Sequence, residues 1–289
     1  MADSLKQHTH EERKRIVEAL VPLIKRHMGD ELLALAVTGS FARNADGAYS
    51  DIELVGFVKR RPDGDRWFTH FIYDGMLIDI WFLTRQTYLN IHKKDVNHEW
   101  PYAALSVLTP LLNAPFIQEL SDTPVSATSE DCLRALRRFW PQVQEATGKV
   151  LTAVERNDIN PLPFLYWRMV ERMCVALSLL NVRPFSTRAA IFTEVRTFPH
   201  LPASFEAIMS PQDWTHEPAE LGRRALATFE EMERLLYSHG FELCEQNLDS
   251  FVSAQSGWDR IRRHLGIDRV ARKVMKIGKA FKLKLARGR

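Results

Sequence analysis

A chain of 289 residues, 45% hydrophobic and 26% charged, is long enough for two domains of ordinary size with buried cores. No window approaches about eighteen uncharged apolar residues, and the first thirty residues are charged without an apolar secretory core, so a soluble cytoplasmic protein is expected. The net charge of +3 conceals an asymmetry: Arg269 to Arg289 holds nine basic residues and no acid, leaving −6 for the rest of the chain.

Thr9 to Glu12 reads as a capping box that opens a helix, with Ile16, Val17, Leu20, Leu23 and Ile24 as its apolar stripe and Pro22 as a kink in its last turn. The apolar run Leu33 to Val37 then leads into Gly39-Ser40, and a second run carries Asp51 and Glu53 as D-I-E-L. Side chains at i and i+2 of a strand share a face, so the two acids stand together while Ile52 and Leu54 face a core. Two adjacent carboxylates repel unless a cation lies between them. Oxygen ligands at this spacing suit Mg²⁺, which is commonly held by one or two carboxylates together with substrate phosphates. Gly39 lets the backbone turn sharply, the Ser40 hydroxyl can donate, and N–H groups at a following helix start favour an anion. The plain alternative is a tight turn followed by an edge strand with solvated acids.

Beyond a charged turn from Lys59 to Arg66, Trp67–Tyr73 and Met76–Leu83 flank Asp74-Gly75, a hairpin signature. Alternation sets Asp79 opposite Ile78 and Ile80, so a third acid can join Asp51 and Glu53 on one face. Thr84 caps a helix from Gln86 to about Lys94. A helix-rich segment from Trp100 to Leu120, broken by Pro101, Pro110 and Pro115, leads to the Ser/Thr/Pro-rich linker Ser121–Ser129. Beyond it the pattern turns helical. Ser129-Glu130-Asp131 opens a helix with Leu133, Leu136, Phe139 or Trp140, Val143 and Val150 along its apolar side, while Glu145 and Lys149 are spaced i, i+4 on another face. Taken alone, that pair is an ordinary surface ion pair. Trp167, Met169, Met173, Cys174, Leu177, Leu179 and Leu180 form an apolar helix suited to a core or a dimer contact. Cys132, Cys174 and Cys244 read as reduced core thiols. The ten histidines show no zinc-ligand spacing, and His8 and His10 fall in a terminal segment expected to be mobile. In the basic tail, Val270, Val274, Ile277 and Phe281 give an apolar stripe among Arg and Lys. Such a segment either binds an anionic surface or nucleic acid, or covers apolar surface of its own protein.

Hydrophobic-Gly-Ser followed by Asp-hydrophobic-Glu-hydrophobic resembles the core motif of the DNA polymerase β-like nucleotidyltransferase superfamily. From about Thr9 to Phe251 the chain also resembles the kanamycin nucleotidyltransferase family. The matching stretches, in order, are EERKRIVEAL, TGSFARNADGAYSDIEL, the acid of LIDIWF, EWP, EATGK around Glu145 and Lys149, and ERLLYSHGF. The resemblance implies an α+β fold, a mixed β-sheet nucleotidyltransferase domain at 1–125 followed by an all-α helical domain at 126–256, with a basic tail at 257–289. It implies a homodimer whose active sites are shared between subunits, and transfer of AMP from ATP to a hydroxyl of a small acceptor, an aminoglycoside antibiotic. Gly39 and Ser40 would hold nucleotide phosphates, assisted by Arg43 and Ser50. Asp51, Glu53 and Asp79 would coordinate Mg²⁺, Lys149 would offset charge near the α-phosphate, and Glu145 would accept the proton of the acceptor hydroxyl. The same reaction on another acceptor, or a non-catalytic nucleotide-binding module, are the competing readings. The chain departs from the family in Pro141, which falls inside the Glu145 helix, and in Thr69-His70-Phe71-Ile72, where a drug-modifying relative would carry a further acid.

Overall fold

The computed structural model describes residues 5–60, 66–209 and 217–241. Cys244, the end of the matched run at Phe251, most of the charged turn before the hairpin and the whole basic tail lie outside the described residues. The described residues up to Phe241 cluster as one compact unit of sheet and helices. In chain order its elements are α1 (His10–Met28), β1 (Leu32–Thr38), α2 (Gly39–Ala42), β2 (Ile52–Val58), β3 (Arg66–Tyr73) and β4 (Met76–Leu83). There follow α3 (Arg85–Leu89), α4 (Trp100–Ala103), β5 (Thr109–Leu112), α5 (Ala114–Asp122), α6 (Ser129–Glu155), α7 (Leu162–Leu180), α8 (Ile191–Glu194), α9 (Phe205–Met209) and α10 (Pro218–Ser238). The α+β class expected from the sequence is what the chain adopts: a mixed sheet, then helices.

The sheet order is β3-β4-β2-β1-β5. From β2 the chain crosses to the edge as β3 and returns through the hairpin as β4, which therefore lies parallel to β2, while the other pairs are antiparallel. Asp74 and Gly75 take φ values of 48° and 71°, the left-handed pair that a tight hairpin turn demands. One face of the sheet, with Leu35, Val37, Ile52, Leu54, Ile78 and Ile80, packs on α1. The other, with Ala34, Ala36, Val55, Phe57 and Leu83, packs on Tyr88 and Leu89 of α3 and on Ile117 and Leu120 of α5.

Helix α1 starts with the expected capping box: the Thr9 hydroxyl oxygen accepts from the Glu12 N–H, and the Glu12 carboxylate accepts from the Thr9 N–H. It runs through Pro22 to Met28. Leu23 is not part of its buried stripe but 53% exposed, because it sits about 100° round the helix from Ile24, at the margin of the stripe centred on Val17 and Ile24. The expected helix-rich segment after Trp100 contains a strand, β5, whose Pro110 is accommodated at the sheet edge, where an N–H can be spared. The Thr84 cap holds, its hydroxyl accepting from the Thr87 N–H.

In the helical half, α6 packs on α7 and α10. Thr128 caps α6 in a second capping box with Asp131. Leu136, Phe139, Trp140, Val143 and Val150 are buried along α6, as are Met169, Met173, Cys174, Leu177, Leu179 and Leu180 of α7, whereas Trp167 is 37% exposed. Cys132 and Cys174 are free and buried. Helix α6 continues through Pro141 without a break. Proline cannot bond to the carbonyl four residues back, that of Arg137, and both residues lie on the exposed face, where water can satisfy it. Among the described residues no helix is long and apolar enough to cross a membrane.

Candidate active site

The site begins with strand register. Thr38, the last residue of β1, lies opposite Glu53 of β2. Glu53 lies opposite Asp79 of β4, and Asp79 opposite His70 of β3. In-register neighbours point to the same side of a sheet, so Thr38, Glu53, Asp79 and His70 form one transverse row. Asp51, two residues before Glu53, belongs to the same side. The three expected acids are thus brought to one face and influence one another. Burial first, then the negative charges of Asp51 and Asp79, hold the Glu53 carboxyl above the usual carboxylate range, with Arg43 pulling the other way. Burial and then Asp51 raise Asp79, with His70 opposing. Oδ1 of Asp79 is buried without a hydrogen-bond partner.

Gly39 is required here twice over. Its φ of 73° favours glycine, and a Cβ at this position would fall 1.8 Å from Oε2 of Glu53. The backbone turns directly against the carboxylate. Ser40 lies on the single turn of α2 and Arg43 caps its end; the Ser40 carbonyl accepts from the N–H groups of Arg43 (3.1 Å) and Ala45 (3.0 Å).

What fixes the loop from Arg43 to Asp51 was not foreseen from the sequence. Arg13 of α1 is only 1% exposed. Its guanidinium donates to the carbonyls of His8 (2.9 Å), Gly47 (2.8 Å), Ala48 (2.9 Å) and Ser50 (3.0 Å) and pairs with Asp46 at 3.0 Å. His10 reaches Asp46 at 2.7 Å and lies against the Phe41 ring. His8 Nε2 lies 2.9 Å from the Asp74 carbonyl oxygen. The expected mobile terminal segment is therefore anchored from His8 onward, because its polar groups close both the loop and the hairpin turn. The Ser50 hydroxyl oxygen accepts from the Gly47 N–H at 3.0 Å.

Against this face opens a cleft of about 830 Å³. Gly39, Ser40, Arg43, Glu53, Trp81 and Tyr88 line its sheet side, and Glu99, Tyr102, Ser186, Thr187 and Arg188 its far side. Arg188 lies over the Tyr102 ring at 4.5 Å and 3.5 Å from Glu99, while the Tyr102 hydroxyl donates to Glu171 at 3.2 Å. The residues after α7 gave no sequence signal because they belong to a loop without periodicity. Ser50, Asp51, Asp79, Glu145 and Lys149 are not among the residues lining the cleft.

Glu145 and Lys149 stand on the exposed face of α6, 2.7 Å apart, with Arg172 at 3.9 Å from the other Glu145 oxygen. The hydrogen bond from Lys149, and then its charge, hold the Glu145 carboxyl below the usual range. Among the described residues no three His, Cys, Asp or Glu side chains form a ready-made metal cage. The sheet acids nonetheless suit Mg²⁺. That ion is held by a few carboxylates plus phosphates rather than by an all-protein cage, and the orphaned Asp79 oxygen beside the charge-crowded Glu53 is what a cation would relieve.

Residues 115–242 match the family described as KNTase C-terminal domain. The chain is 24% identical over 205 residues to an aminoglycoside nucleotidyltransferase (4') of Staphylococcus aureus, covering 68% of this chain and 79% of the relative, and equally to one from a Bacillus species. Among solved structures, a nucleotidyltransferase-like protein from Exiguobacterium sibiricum matches with a TM-score of 0.45 and 12% identity over 89% of this chain and 91% of that one. Residues 115–242 thus match the KNTase C-terminal domain, and over 205 residues the chain is similar to nucleotidyltransferases that act on aminoglycosides.

Proposed function

We propose that the protein transfers a nucleoside monophosphate, AMP from ATP, to a hydroxyl of a small acceptor, with Mg²⁺ as its metal. The observation that carries this reading is the register pair Glu53–Asp79 beside Gly39: a backbone turn pressed against a carboxylate, next to an orphaned buried carboxylate oxygen. Asp51, Glu53 and Asp79 would hold Mg²⁺, and the ion would supply positive charge to offset that of the triphosphate. Gly39 and Ser40 receive the phosphates, and Arg43 and Ser50 assist. The acceptor oxygen attacks the α-phosphorus, the bond to the β-phosphate oxygen breaks, and pyrophosphate leaves. Glu145 takes the acceptor proton.

The Glu145–Lys149 pair fits that task in a specific way. A carboxylate held below its usual range is a weak base at neutral pH. Lys149 cannot neutralise Glu145 and a phosphate at the same time, so a bound triphosphate that draws Lys149 away leaves Glu145 more basic when its proton acceptor is needed. Both side chains are about half exposed and absent from their own chain's cleft, which supports a homodimer in which each sheet faces the partner's α6. In this reading residues 1–125 supply the nucleotide and metal groups, 126–256 the acceptor groups and dimer contact, and the basic tail 257–289 either covers apolar surface of its own protein or contacts an anionic surface. The relatives are named for aminoglycoside acceptors.

The test uses ATP labelled at the α- or the γ-phosphate with Mg²⁺ and a panel of hydroxylated acceptors. The reading requires α-label on the acceptor and γ-label in pyrophosphate. Transfer of γ-label to the acceptor would replace it with a kinase reading.

A further inference from the structure

The row of Glu53, Asp79 and His70 is followed, one step along the strands and on the same face, by Val55, Trp81 and Phe68. The Phe68 and Trp81 rings lie 4.2 Å apart at 42°, and Phe68 and His70 5.3 Å apart. Trp81 lines the cleft together with Glu53, and Phe68 is 38% exposed. An aromatic surface thus adjoins the carboxylates where an acceptor hydroxyl would have to approach.

The charges point the same way. If the three sheet acids serve metal and nucleotide, Glu99 is the carboxylate left lining the cleft, and Arg188 pairs with it at 3.5 Å. With Lys149 drawn to the triphosphate, Glu145 is left with Arg172 at 3.9 Å, and the two add no net charge. A polycation binds where carboxylates are in excess, and here they are not.

Resting on the nucleotidyl-transfer reading above, we infer that the acceptor is a hydroxylated compound of low positive charge with a flat apolar ring, which packs on Phe68 and Trp81 while its hydroxyl faces Glu53. Aromatic rings supply large contact area with defined geometry, and stacked pairs add to what burial alone gives.

The experiment measures binding of phenyl β-glucopyranoside, methyl β-glucopyranoside and kanamycin to the full chain by calorimetry, with and without Mg²⁺ and a non-hydrolysable ATP analogue. The expected result is that the phenyl glycoside binds at least about tenfold tighter than the methyl one, that Phe68→Ala abolishes the difference, and that His70→Glu shifts preference toward kanamycin. Phe68 is exposed on an edge strand, so its replacement leaves the fold intact, as circular dichroism would verify. Equal binding of the two glycosides, tighter binding of kanamycin, or a Phe68→Ala variant that alters only oligomeric state by sedimentation would each overturn the inference. Binding of the nucleotide analogue is read on the same samples: its absence refutes the transfer reading, whereas loss of the aryl preference alone refutes this one.

Discussion

Glu53 carries more of the site than any other residue, because burial and two neighbouring acids disfavour its charge while Gly39 turns against it. A carboxyl whose folded pKa is raised binds protons more tightly in the folded than in the unfolded state. Its contribution to stability is therefore fully present below the unfolded pKa and lost as pH rises through the folded one. Glu53→Gln and Asp79→Asn should accordingly raise Tm at pH 7 in metal-free buffer, with the gain disappearing below pH ~4. Mg²⁺ should raise the Tm of the natural protein, as a ligand that binds only the folded state does, and should leave Asp79→Asn nearly unmoved. Thermal melts with EDTA or Mg²⁺ at the two pH values check both. Gly39→Ala forces Glu53 aside, and a reacting group displaced by about 1 Å can lose on the order of a hundredfold in rate; steady-state turnover against melting temperature separates that loss from unfolding.

These residues were legible in the sequence because their spacing has a physical meaning: alternation placed Asp51, Glu53 and Asp79 on one face before any pairing was known. Arg13 was not legible. Nothing in a helical Arg four residues after a cap distinguishes a solvated side chain from one that is buried and bonded to four carbonyls; that depends on where the loop after β1 folds back.

Among elements, the segment from Arg43 to Asp51 depends on α1 as much as on its own turns. Removing one partner of a buried pair leaves the other charge stranded, at a cost of about 3–5 kcal/mol. Arg13→Leu should therefore destabilise the chain by about that much in urea unfolding at pH 7, because Asp46 is 3% exposed, and Arg13→Leu with Asp46→Leu should recover part of the loss. Capping boxes and the Asp-Gly hairpin were readable because each is set by residues close in sequence. Strand β5 was hidden because Pro110 marks it as a helix breaker, and only its place beside β1, at an edge, makes it a strand. Pro141, which falls inside the Glu145 helix, leaves that helix continuous, since a proline on an exposed helix face need not end it.

At the scale of the whole molecule, the sheet acids and the Glu145–Lys149 pair would belong to different protomers of one site. Glu53→Gln and Glu145→Gln homodimers should each be inactive, and mixing them after dissociation should regain turnover, since some mixed dimers then hold one intact site. Failure to regain turnover, with subunit exchange verified by mass spectrometry, would place both residues in one protomer's site or in none. Pyrophosphate release from ATP with a panel of hydroxylated acceptors, kanamycin and the phenyl glycoside included, followed as Mg²⁺ is titrated, decides the nucleotidyl-transfer reading itself. Release should require both Mg²⁺ and an acceptor and should vanish in Glu53→Gln. Release of inorganic phosphate instead, or pyrophosphate release that survives Glu53→Gln, would refute nucleotidyl transfer at this site.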